Sequence, residues 1–113
     1  MKTFKLNIIT QKIEEIEVEG LLGMQKEVGG YLVTATYLKS NDVVIVNEKG
    51  LLGIIEGAFE IKDAHQPFVG NGLVFGIDKE GEFTEPKTTI EELKAVVTFL
   101  NPMELKLKAK YGS

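Results

Sequence analysis

The sequence predicts an α+β domain, a mostly antiparallel β-sheet with two helices, over about residues 20–28 and 89–100, packed on it. Three observations carry this. Short runs rich in β-branched and aromatic residues follow one another at turn signals, as hairpin strands do. Leu21, Met24 and Val28 recur at the spacing of one helical face, and so do Ile90, Leu93, Val97 and Leu100. The resulting order, β-β-α-β-β-(β)-β-β-α, fits helices laid on a sheet.

Each element has its own signal. Residues 3–9 and 12–18 are β-prone runs on either side of Thr10-Gln11, the second alternating Glu with Ile and Val. The helix over 20–28 is closed by Gly29-Gly30, glycines that suit a C-cap. Residues 31–38 and 43–46 flank the turn-forming Ser40-Asn41-Asp42 and read as a hairpin. Residues 51–55 fit a third strand or a short helical turn, and 56–67 a loop with at most a short strand around Phe59. Val69–Ile77 is strand-like, Asp78–Gly81 a turn and Glu82–Thr84 a short strand pairing back. Thr88-Thr89-Ile90-Glu91-Glu92 matches a capping box at the start of the second helix, and Asn101-Pro102 stops that helix. Lys106, Lys108 and Lys110 alternate with apolar residues, the pattern of a lysine-guarded edge strand, so 102–113 is expected to be such an edge or a loose tail.

A chain of 113 residues that is 43% apolar is long enough for one core, and residues 1–113 are expected to form a single domain. It contains no cysteine, which excludes disulfides, thiolate zinc sites and cysteine nucleophiles. The N-terminal segment has no apolar run long enough for a signal peptide or a membrane span, so a soluble, cytoplasmic protein with no membrane partner is expected. All 13 basic residues are lysine and the net charge is −4. Without the forked guanidinium, and on an acidic chain, sequence-specific contact with nucleic acid is not expected.

Few residues point to chemistry. Gly70, Asn71 and Gly72 lie in "VGNGLVFG", but the run after them is a strand, whereas phosphate loops of the Rossmann and Walker kinds lead into a helix. The stretch reads as a tight turn or bulge at Asn71-Gly72, or as a loop whose exposed amides face an anion. His65, with Asp63 two residues before it, is the sole imidazole and fits either a general base or a surface residue; the only serines are Ser40 and Ser113. Glu80 and Glu82 flank Gly81 without a metal-loop spacing, and neither metal nor cofactor is implied. Tyr31, Tyr37, Phe59, Phe68, Phe75 and Phe83 are expected in the core or at its rim.

Three segments carry a resemblance: MQKEVGGYLVTATYL (24–38), DVVIVNEKG (42–50) and FVGNGLVFGIDKEGEF (68–83), the last followed by a helix. Together they resemble a family of small phage- and plasmid-borne domains of unknown function, over roughly residues 19–100. Where members commonly continue with Leu-Pro-x-Asn-Arg, this chain reads Leu51-Leu52-Gly53-Ile54-Ile55-Glu56. The resemblance implies a mobile-element origin and a non-enzymatic binding role, such as inhibiting a host defence protein or sequestering its signal. Gly70, Asn71, Gly72, His65 and Tyr31 are then the candidate contacts to a host protein or small ligand, and a homo-oligomer is expected. Two other classes stay open: a small nucleotide-handling enzyme using the glycine loop, Asp63 and His65, and a structural subunit that assembles through exposed strand edges.

Overall fold

The computed structural model describes residues 1–49, 55–64 and 66–111. It is α+β with mostly antiparallel sheets and three helices. The larger sheet has the order β2(Lys12–Glu17), β1(Lys2–Asn7), β7(Gly72–Ile77), β4(Val43–Asn47), β3(Leu32–Tyr37), with β8(Phe83–Thr84) on the far end of β7. A smaller sheet has the order β6(Phe68–Val69), β5(Ala58–Ile61), β9(Val97–Leu100). The alternative of strand or helix at residues 51–55 falls mostly outside the described residues.

The larger sheet is covered on both faces, which explains why β4 and β7 read as unbroken apolar runs. One face carries Val43, Ile45, Leu73 and Phe75 beneath Met24 and Val28 of α1(Gly20–Val28). Leu21, which sequence spacing assigns to that buried face, lies at the start of α1 and is exposed. The other face carries Phe4, Leu6, Val44 and Val74 beneath Phe59 and Ile61 of the smaller sheet and Leu93 of α2(Ile90–Val96). Gly72 sits under the Phe59 ring: a Cβ there would lie 2.8 Å from Phe59 Cζ. α1 ends where Gly29 takes φ 85° and donates its N–H to Gln25 O, as a C-cap does.

Two expectations about the last third of the chain need correction. The helix expected over 89–100 stops at Val96, and Val97–Leu100 pairs as β9 with β5 (Ile61↔Val97, Ala58↔Leu100). The run Val96-Val97-Thr98-Phe99 has strand propensity, and the open edge of β5 satisfies its backbone groups. The capping box forms as read, with Thr89 as the cap: Thr89 Oγ1 accepts the Glu92 N–H at 3.2 Å and Glu92 Oε1 accepts the Thr89 N–H at 2.9 Å. Residues 102–111 are not an edge strand but the helix α3(Pro102–Tyr111). Asn101 and Glu104 form a second capping box, with bonds of 2.8 and 2.9 Å, and Pro102 occupies the first helical position, where it is tolerated. Lys108 of α3 reaches Glu60 of β5 at 2.7 Å.

Tyr31 and Tyr37, expected in the core or at its rim, are both well exposed, whereas Phe59 and Phe75 are fully buried. Phe68 tilts against Phe59 with ring centroids 5.6 Å apart, and Phe83 stacks on Phe75 at 5.0 Å.

Candidate functional site

The glycine stretch is fastened on several sides. Gly70 takes φ 86°, so the left-handed residue between β6 and β7 is Gly70, and Asn71-Gly72 is not the tight turn. The Gly70 N–H donates to Gly57 O at 3.1 Å, and Asn71 Oδ1 accepts the Ile8 N–H at 2.9 Å. Gly72 already belongs to β7, opposite Leu6. Lacking a Cβ, it serves the approach of Phe59 rather than that of a ligand.

Gly70 and Asn71 nevertheless border a cleft of about 410 Å³, together with Lys5, Lys26, Lys49, Glu27 and Glu56. Its walls are the last turn of α1, the end of β1 and the turn after β4. Lys5 is paired with Glu27 at 2.8 Å, while neither Lys26 nor Lys49 is in an ion pair among the described residues. Asn47 also lines the cleft; its Oδ1 accepts the Lys49 N–H at 2.8 Å, and its amide fits where a Cβ on Gly30 would clash at 2.8 Å. Three ammonium groups against two carboxylates leave this cleft locally positive on a chain of net charge −4. The C-terminal dipole of α1 opposes part of that positive charge.

A second cavity, of about 240 Å³, lies at the other end of β4, between the β3–β4 turn, the β5–β6 turn and α2. A hydroxyl chain leads into it. Ser40 Oγ and Thr88 Oγ1 are 2.6 Å apart, and Thr88 Oγ1 donates to Asp42 Oδ2 at 2.7 Å. The same Oδ2 accepts the N–H groups of Lys87 (2.8 Å) and Thr88 (2.7 Å). With Thr88 donating to Asp42, the hydroxyl of Ser40 donates to Thr88, and Ser40 Oγ accepts the Asp42 N–H at 3.2 Å. Asp42 Oδ2 therefore spends itself on the segment ahead of α2 and does not face Ser40 as a base. Asp42 is 1% exposed, and its Oδ1 has no partner among the described residues.

The remaining candidates separate. His65 lies outside the described residues, and so does its pairing with Asp63. Asp63 borders the 240 Å³ cavity. Glu80 and Glu82 are exposed, and their N–H groups both donate to Asp78 Oδ1 at 2.9 Å, which makes the segment a closed turn. Among the described residues no three His, Asp or Glu side chains converge as a metal site, and no helix is long and apolar enough to cross a membrane. Tyr31 stands just before β3, at the opposite end of that strand from the Ser40 cavity.

Sequence reasoning passed over Lys5, Lys26, Lys49, Asn47, Ser40, Asp42 and Thr88 as site residues. Thr88 is 46 positions from Asp42, and no local pattern announces that contact. Asn47 carried one signal, since the V-N-E-x-G turn of the resemblance contains it. A family described as Domain of unknown function (DUF3846) matches residues 4–98, and the chain belongs to it. No curated protein and no solved structure matches the chain.

Proposed function

We propose that this member of a domain family of unknown function is a non-enzymatic binding module of phage or mobile-element origin. In this proposal it counters a host defence system by holding that system's small anionic signal. The observation that carries the proposal is the 410 Å³ cleft beside Gly70 and Asn71. Its volume lies in the range of ligand sites, and it offers the Lys26 and Lys49 ammonium groups for an anion. The origin rests on the resemblance of residues 24–38, 42–50 and 68–83 to phage- and plasmid-borne domains. The non-enzymatic role is supported by the Ser40–Thr88–Asp42 chain, whose carboxylate oxygen already holds three donors.

Thermal unfolding in the presence of a panel of linear and cyclic nucleotides tests this. At least one anionic ligand should stabilise the fold, by about 2.7 kcal/mol when present at 100 times its Kd. The Lys26→Glu/Lys49→Glu variant should lose that gain while unfolding normally alone. No stabilisation across the panel would sink the proposal. A second reading, direct inhibition of a host defence protein, is favoured by the adjacent Leu21 and Leu22, 59% and 81% exposed at the start of α1. Capture of a defence protein that Leu22→Glu abolishes would select it.

A further inference from the structure

The two outer edges of the larger sheet differ in chemistry. β2 carries Lys12, Glu14, Glu15 and Glu17, so two copies meeting there would set carboxylates against one another. β3 carries no charge, nor do Tyr31 before it and Leu38 after it, and among the described residues no strand pairs its outer side. Tyr31 O accepts the Glu48 N–H and the Leu38 N–H donates to Asp42 O, so the alternation of the ladder turns the backbone groups of Leu32 and Tyr37 outward.

We propose that this edge pairs antiparallel with the same edge of a second copy, about a two-fold axis, and that Tyr31 of each copy seats in the 240 Å³ cavity of the other. The pleat selects the register. Val33 and Thr36 lie opposite Val46 and Val44, on the face covered by the smaller sheet. Leu32 and Tyr37 lie opposite Asn47 and Val43, on the face covered by α1. The irregularity between Thr34 and Thr36 is what lets residues three apart share a face. Opposed side chains in an antiparallel pair share a face. Val33 of one copy therefore meets Thr36 of the other, Leu32 meets Tyr37, and the bulge falls at the axis. One step further out, Tyr31 meets Leu38, which lines the cavity with Thr36, Ile61 and Val96.

The cavity suits that side chain. A void of roughly 150 Å³ holds a benzene molecule, so 240 Å³ admits a phenol ring. The carboxylates of Asp63 and Glu92 border it and can accept the phenol O–H. One edge thus supplies both the knob and the hole, as a closed symmetric dimer requires. The ligand cleft lies by Asn47, at the other end of β4, and the dimer does not depend on it.

Sedimentation equilibrium of the full chain, from micromolar into the millimolar range, reads the outcome. The mass should rise from 12.5 kDa towards twice that value. Tyr31→Ala should weaken the association at least tenfold, and Val33→Lys should abolish it, each with an unchanged circular dichroism spectrum. The chain has no cysteine, so Val33→Cys/Thr36→Cys reports the register: mild oxidation should give a disulfide-linked dimer, because within one copy the two positions are too far apart to bridge. A monomer at every concentration would overturn the proposal. So would a dimer that Tyr31→Ala and Val33→Lys leave intact and the cysteine pair fails to link.

Discussion

Asp42→Ala should be the most damaging single polar substitution in this domain. The Asp42 carboxylate is 1% exposed and accepts three bonds on Oδ2, from the N–H groups of Lys87 and Thr88 and from Thr88 Oγ1. Alanine leaves these donors without an acceptor, and each buried donor left unpaired costs about 1–3 kcal/mol. The two Thr88 donors lie in a buried setting, while the Lys87 N–H is only part-buried and can turn to water. Two full penalties amount to about 2–6 kcal/mol, a large part of the 5–15 kcal/mol or so that holds a domain of this kind folded.

Asparagine separates this account from simple loss of shape. Its carbonyl oxygen replaces Oδ2, and its amide replaces the unpartnered Oδ1, on the side of Gly76. It also removes a buried charge. Asp42→Asn should therefore cost less than half as much as Asp42→Ala. Urea unfolding followed by far-ultraviolet circular dichroism measures both, compared at a common m value. The account fails if alanine lies within about 1 kcal/mol of the unsubstituted protein, or if asparagine is as costly as alanine.

Other expectations follow from single contacts. Gly72→Ala puts a Cβ 2.8 Å from Phe59 Cζ and should destabilise by about 1–3 kcal/mol in the same urea titration. Thr89→Ala removes the cap of α2 and should cost about 1 kcal/mol. Asn101→Ala should cost a similar amount and should also lower the helical signal, since it frays α3 from its first turn. Lys108→Ala breaks a part-exposed ion pair with Glu60 and should change stability by less than about 1 kcal/mol.

The legible parts of this fold are those whose cause is local. α1 is marked by the spacing of Met24 and Val28 and by Gly29 at its end, and the β3–β4 hairpin by Asn41, which adopts φ 70° in the turn. The end of α2 was hidden because Val97 and Leu100 fit a helical face as well as a strand, and only the edge of β5, some 40 positions away, decides between them. α3 was obscured by reading Pro102 as a stop when the run Asn101-Pro102-Met103-Glu104 is itself a start signal. In the 410 Å³ cleft, Gly70 and Asn71 were visible as an unusual stretch. Lys5, Lys26 and Lys49 come from β1, α1 and the turn after β4, and only the tertiary fold brings them together.

That sheet order also constrains how the chain assembles. β1–β2 and β3–β4 are local hairpins whose inner edges, β1 and β4, both wait for β7, which arrives after residue 71. During synthesis the two hairpins can form early, yet each keeps an apolar edge open until β7 enters between them. Bridging them closes long stretches of chain, so insertion of β7 is expected to be the slow step. Until it occurs, the exposed inner edges are where aggregation would begin. In the finished fold β7 is flanked on both sides, and its amides should be the last to exchange with solvent.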